Sequence, residues 1–425
     1  MRRIITALLI AAAVTAGLPA APALAAPSGF TATEVTFTGN GGVTLHGTVL
    51  APAPAPAAGP APMRLPGIVM LEGAGNRGRG YLRGEAEAYA RHGVATLTYD
   101  KRTDGYSMLH RDFSVLADDA LAGLRLLRDR PDVDPSRLGL WGLPEGAWVA
   151  PIAANRSADV AFLITVGAVG TNPVDQTAWA YGQYLRHAGV RGYLPRLMQT
   201  SVVRATIDFG LFAEAGFDPV PEWERVRQPV LAQWGELDRD AVPLRSSRLI
   251  GDALDRGGNA RHTVRVVAGT NHNLHRTADD GFDRLPALPD DYADFETAWI
   301  ADPSMTAPAV ALRPSSLVDS APGWGDTTWV RLGVLLLLVG TLVRCRVRWL
   351  LVLAPVTIAG TLVFMFFLLA TAGKVVGPVL LGRPPAWLAL QLLAVAVVAG
   401  FAWRRRWLPG ALFLVWAIQW GLLIP

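Results

Sequence analysis

Asp238 and His272 stand in the order in which an acyl-transfer site carries its acid and its histidine behind a nucleophile. The first lies in QWGELDRDAVP and the second in VVAGTNHNLH, each just past a short apolar run. Such an acid holds an imidazole in one tautomer, and the imidazole takes a proton from a hydroxyl. Here the hydroxyl is missing. Residues 137–148 read RLGLWGLPEGAW, in which Gly142 and Gly146 complete the frame G-x-S-x-G with Pro144 where the serine belongs. Proline has no hydroxyl, and its ring fixes φ near about −65°, whereas the nucleophile of such a strand-to-helix turn is strained. The expectation is a site without its attacking atom, on a backbone that conflicts with the replacement.

Other groups are candidates for the attack. Glu145 adjoins the frame, and a carboxylate can serve as a nucleophile. Moving the frame to Glu145, however, puts Leu143 where a small residue is needed. Ser107 and Ser114 follow the fourth strand, with a turn residue and a helix-start residue as their plainer readings. His272 and His275 have HxxH spacing without the further ligands a metal site needs. One triad-like and one exposed histidine is the simpler reading, and neither a metal nor a cofactor is expected. Residues 73–78, GAGNRG, match G-x-G-x-x-G with Asp100 downstream, the dinucleotide fingerprint. That reading ranks lower, because two β segments precede it and it leaves the acid and histidine loops unexplained.

The elements that must position these residues alternate between strand and helix. A hairpin at 34–38 and 43–50 is followed by the Pro/Ala insertion 51–62 and a buried strand at 67–71. Helix 82–92, strand 94–99, helix 113–128 and strand 138–141 come next, then a helix from about 146 and strand 161–166. Residues 172–225 break the alternation as an amphipathic helical cap. It resumes with strand 230–234, helix 244–255, strand 262–267 and helix 291–300. This pattern predicts an α/β domain with a doubly wound, mostly parallel sheet.

On that frame, VATLTYDKRTDGYS, DFSVLADDALAGLRLLRDRPDVDPSRLGLWG, the elbow, WGELDRDAVP and AGTNH resemble the α/β-hydrolase superfamily over residues 31–301. The branch they resemble holds dienelactone hydrolases, exported esterases and prolyl-oligopeptidase-type peptidases. The resemblance implies oxyanion-hole amides from about Ala74 and from Glu145. It also sets Glu72 where the family often has the histidine of a His-Gly pair, and a carboxylate there would repel an oxyanion.

Around the domain at 26–302 the chain carries membrane signals. Arg2, Arg3, the apolar stretch 4–14 and Ala23-Leu24-Ala25 read as a signal peptide over 1–25. A Pro/Ser/Ala-rich linker, 303–326, leads to a C-terminal all-α membrane region at 327–425, with spans expected at 327–343, 349–372, 386–403 and 408–424. Arg331, near the start of the first, is expected to snorkel to the outer interface. Arg344, Arg346 and Arg348, with Arg404, Arg405 and Arg406, then fall on the cytoplasmic side, while the loop with Lys374 and Arg383 faces outward.

The net charge is only +4, and Lys101 and Lys374 are the only lysines. No arginine stripe interleaves with aromatics in the soluble part, so nucleic-acid binding is not expected. The single cysteine, Cys345, excludes an intrachain disulfide and a cysteine-based zinc site. Together these features predict a multi-pass cell-membrane protein with an extracytoplasmic hydrolase-like domain of serine esterase or peptidase ancestry. Its catalysis is impaired at Pro144, and it binds a small-molecule, lipid or peptide ligand or an unidentified protein partner. The alternatives are an active ester or amide hydrolase using another nucleophile with His272 and Asp238, and a membrane sensor or transport-associated protein.

Overall fold

The computed structural model describes residues 29–53, 63–308, 310, 312, 324 and 327–424. The expected signal peptide at 1–25, most of the Pro/Ala insertion and much of the linker lie outside the described residues. The strands are β1 (Phe30–Thr38), β2 (Thr44–Pro52), β3 (Leu65–Leu71), β4 (Ala95–Tyr99), β5 (Val133–Gly142), β6 (Phe162–Val166), β7 (Val230–Gly235) and β8 (His262–Val267). They form one eight-stranded sheet in the order β1-β2-β4-β3-β5-β6-β7-β8. β2 pairs antiparallel with both β1 and β4, and every pairing from β4 to β8 is parallel. Strands covered on both faces need continuous apolar side chains, as β6 shows in Phe-Leu-Ile-Thr-Val, all buried.

Helices α1 (Arg83–Arg91), α2 (Phe113–Arg128) and α3 (Pro144–Ala154) follow β3, β4 and β5. The cap holds α4 (Pro173–His187), α5 (Tyr193–Leu197), a π-helical turn (Met198–Val202), α6 (Val203–Asp208) and α7 (Val220–Arg225). Then come α8 (Pro243–Arg256), α9 (Asp294–Ala301), α10 (Thr328–Leu342), α11 (Leu350–Ala370), α12 (Pro385–Trp403) and α13 (Trp407–Gln419). One sheet face packs on α2, α3 and α8 through Leu116, Leu124, Leu127, Ala150, Ile250 and Leu254. The other packs on α1 and α9 through Ala86, Tyr89, Trp299 and Ile300. In such sheets ligands sit beyond the carboxyl ends of strands where the winding reverses. Here that point lies between β3 and β5, where the loop at 72–78 faces the start of α3.

The C-terminal helices do not hang from the linker alone. Their buried residues, among them Leu338, Met365, Leu368 and Trp387, share one apolar core with Tyr181, Leu185, Leu197, Met198 and Val202 of the cap. α11, with 21 residues, and α12, with 19, are long and apolar enough to cross a membrane. α10 has 15 residues and α13 has 13, roughly 22 and 20 Å at 1.5 Å per residue, short of a hydrocarbon core of about 30 Å. The four helices form where expected, but the outer two are shorter than the spans read from hydropathy. Arg331 also departs from expectation: it is buried, its guanidinium donates to Ser201 Oγ in the cap at 2.7 Å, and it lies 5.2 Å from the Trp420 ring centroid.

Candidate active site

The turn from β5 to α3 is held by close backbone approach. A Cβ on Gly142 would lie 2.4 Å from the Gly146 carbonyl oxygen, and a Cβ on Gly146 would lie 2.4 Å from the Leu71 carbonyl oxygen. Both glycines of the frame are therefore required by packing between β3, β5 and α3. Between them, Leu143 is extended (φ −90°, ψ 157°) and Pro144 is the first residue of α3. Proline suits that position, since its fixed φ is helical and no N–H partner is needed there. The expected conflict is thus corrected: the turn is relaxed, the elbow has no positive-φ residue, and the helix starts at Pro144 rather than near Gly146.

The acid and the histidine meet. His272 Nδ1 donates to Asp238 Oδ2 at 2.8 Å, while Asp238 Oδ1 accepts the amides of Asp240 (2.8 Å) and Ala241 (2.9 Å). Glycines again permit the approach. A Cβ on Gly235 would lie 2.1 Å from the Asn271 carbonyl oxygen, and one on Gly167 (φ +59°) would lie 2.6 Å from His272 Cε1. Burial disfavours the imidazolium, but the Asp238 charge and hydrogen bond, helped by Asp240, outweigh it and raise the His272 pKa above its ordinary value. With Nδ1 committed to Asp238, Nε2 is the nitrogen left for the cleft.

Glu145 is the hub of a buried ionic network. Its carboxylate accepts from Lys101 Nζ (2.5 Å), Tyr106 Oη (2.9 and 3.0 Å) and Arg111 Nη1 (3.1 Å). Arg111 also binds Glu214, whose pKa burial raises despite that arginine. Lys101 Nζ further donates to the carbonyls of Gly73 (2.6 Å) and Gly75 (2.9 Å). A carboxylate so saturated is not a free nucleophile. Glu72 is buried below the cleft, 3.8 Å from Lys101, and burial raises its pKa although Lys101 opposes the shift. It is not among the residues lining the cleft, although its neighbour Gly73 is.

The remaining candidates disperse. Ser107 is exposed in a tight turn with His110, and Ser114 is exposed and bonded to Arg156; neither lines the cleft. His275, expected on the surface, is buried against Glu85 at 2.9 Å, with Nδ1 donating to the Leu285 carbonyl at 2.8 Å. Asp100 binds the Arg79 side chain at 2.6 Å and its amide at 2.8 Å, which occupies the carboxylate a dinucleotide ribose would need.

Above the dyad lies a cleft of about 380 Å³ lined by Ala74, Pro144, Glu145, Trp148 and His272. It lies over the β3–β5 reversal, with the elbow frame after β5, the acid after β7 and the histidine after β8. The chain has the α/β-hydrolase fold. No family model matches it. It is similar to polyketide transferase claH of Penicillium crustosum, 27% identical over 150 residues, covering 32% of this chain and 49% of that protein. The chain therefore spans about half the length of that curated relative. Similar solved structures include a puromycin-hydrolyzing peptidase of Mycobacterium tuberculosis, with 20% identity and a TM-score of 0.42 over 57% of this chain and 36% of that one. Another is the α/β hydrolase GrgF of Penicillium sp. sh18, with 18% identity and a TM-score of 0.40 over 57% and 91%. A third is a 2,6-dihydroxy-pseudo-oxynicotine hydrolase, with 14% identity and a TM-score of 0.44 over 64% and 67%.

Sequence reasoning missed Lys101, Tyr106, Arg111, Glu214 and Lys374, which also lines the cleft. A signal existed for the two lysines. In a chain whose other basic side chains, histidine aside, are all arginine, both lysines sit at this site.

Proposed function

We propose that this protein is a hydrolase-fold receptor. It binds a small-molecule, lipid or peptide ligand in the cleft above His272 and Asp238 without cleaving it, at the outer face of a cell membrane that its C-terminal helices occupy. One observation carries the reading: the residue at the attacking position is Pro144, seated without strain at the first position of α3. Two others support it. Both oxygens of Glu145 are taken by cations and a tyrosine, and Ser107 and Ser114 are not among the residues that line the cleft.

A second reading keeps some catalysis, with the dyad activating a water. The intact 2.8 Å contact between His272 and Asp238 favours it. Hydrolysis of activated aryl esters by the full chain in detergent, beside its His272→Ala variant, separates the two. Equal background rates are expected. Turnover that disappears with His272 would overturn the receptor reading in favour of the second.

A further inference from the structure

Lys374 lies in the loop at 371–384, between the two helices long enough to cross a membrane, yet it reaches the cleft. The loop is pinned to the cap. Just before it, in the last turn of α11, the Leu369 carbonyl accepts from Tyr181 Oη at 3.1 Å, and within it the Gly382 carbonyl accepts from the Arg191 amide at 2.8 Å. Gly373, at φ +68°, packs against Tyr181 and Leu185. The Lys374 ammonium is held 4.5 Å from the Tyr184 ring centroid and 3.6 Å from Asp240 Oδ1, while Asp240 Oδ2 accepts from Tyr184 Oη at 2.9 Å.

At 3.6 Å the lysine and Asp240 attract but do not hydrogen-bond. Lys374 is 49% exposed, so its donors are open to another acceptor. Of the arginines that line the same cleft, Arg111 is already bonded to Glu145 and Glu214 and Arg284 to Glu85, while Arg77 is exposed with its guanidinium 4.5 Å from the Tyr81 ring centroid. Other parts of the cleft wall are apolar: Met108, Leu143, Pro144, Trp148 and Val169. On the outside of the loop, Val375, Leu380 and Leu381 are exposed. Large apolar side chains beside membrane-length helices set the loop against a bilayer surface.

We propose that Lys374 is the head-group site of the cleft and that the ligand is a long-chain carboxylate drawn from the membrane. The carboxylate displaces Asp240 from the ammonium, and the chain lies along the apolar wall beside Pro144. This rests on the reading of the cleft as a site that binds without cleaving.

The test uses the full chain in phosphatidylcholine nanodiscs. The probe is the fluorescent fatty acid cis-parinarate, displaced in turn by oleate, oleyl alcohol and butyrate. Lys374→Met should weaken parinarate binding by roughly ten- to a hundredfold, the range for loss of a charge-assisted hydrogen bond. Lys374→Arg should retain it. Asp240→Asn should tighten it by removing the competing anion, an outcome that misfolding cannot mimic. Oleate should displace the probe at far lower concentration than oleyl alcohol or butyrate. Binding indifferent to Lys374→Met, or oleyl alcohol matching oleate, would overturn the head-group assignment. Butyrate matching oleate would overturn the membrane source. Absence of parinarate binding would overturn the ligand class and leave the receptor reading standing, since that reading falls only to His272-dependent hydrolysis.

Discussion

Pro144→Ser asks whether this site lacks more than an attacking hydroxyl. The variant places a hydroxyl at the first position of α3, between two glycines whose packing admits no side chain. In the cleft that residue 144 also lines, His272 remains oriented by Asp238 at 2.8 Å, and Asp238 is fixed by two backbone amides. The missing contribution is then proton removal by a positioned base, roughly 10²- to 10⁴-fold, or about 2.7 to 5.4 kcal/mol at 1.36 kcal/mol per decade. The lower end is expected, because Leu143 and Pro144 form a relaxed turn rather than the strained one that aims a nucleophile. Loss of the proline costs only about 0.4–1 kcal/mol of stability through chain entropy. The assay compares p-nitrophenyl ester hydrolysis by Pro144→Ser, by Pro144→Ser/His272→Ala and by the parent chain, all full length in detergent. Fluorophosphonate labelling of the introduced hydroxyl counts working sites. A folded Pro144→Ser variant with no His272-dependent rate would refute the claim that elbow and dyad keep their mutual geometry.

Three further outcomes follow from the same contacts. Lys101→Met removes a 7%-exposed ammonium from Glu145, Glu72 and two carbonyls; breaking a buried pair costs about 3–5 kcal/mol, and a thermal-shift measurement should show a clearly lowered midpoint that Lys101→Arg partly restores. The His272 ring, followed by NMR, should titrate above its ordinary 6.5. A raised histidine pKa contributes stability that is fully present below the unfolded value and is lost as pH rises through the folded one, so Asp238→Asn should lower the midpoint and flatten that decline. Gly167→Ala brings a Cβ to 2.6 Å from His272 Cε1 at a φ of +59°; the ring must move, and its titration should shift toward the ordinary value while the protein stays folded.

How far the sequence could be read depended on the range of each interaction. α2 and β8 were legible to the residue, because apolar spacing is local and Asp112 caps α2 by accepting the amides of Ser114 and Val115. The acid and histidine loops were legible because each follows a strand end in a known order. The start of α3 was not, since proline was weighed against a strained nucleophile position and not against the first helical position it suits. Side-chain direction was also hidden. Glu72 is buried outside the cleft lining, and His275 is buried against Glu85, a partner 190 residues away. Lys101 meets Glu145 across 44 residues, a distance no periodicity reports. Hydropathy marked α10 to within a residue at each end but ran past the end of α13, because the apolar residues 420–424 continue beyond Gln419.

The ionic network beneath the elbow bears on why the cleft is retained. Buried ion pairs are weak sources of stability, since desolvation offsets much of their attraction. This network nevertheless ties together segments from distant parts of the chain: the loop after β3 through the Gly73 and Gly75 carbonyls, the segment after β4 through Lys101, Tyr106 and Arg111, the start of α3 through Glu145, and the cap through Glu214. Glu145 also gains from its place in the first turn of a helix, where negative charge is favoured. Those same segments form much of the cleft wall. The network therefore fixes the shape of that wall. Lys374, brought in from the loop between α11 and α12, extends that wall toward the C-terminal helices. The cap and the C-terminal helices therefore share one apolar core, and separating them would expose the cap's side of that core and take Lys374 from beside Asp240.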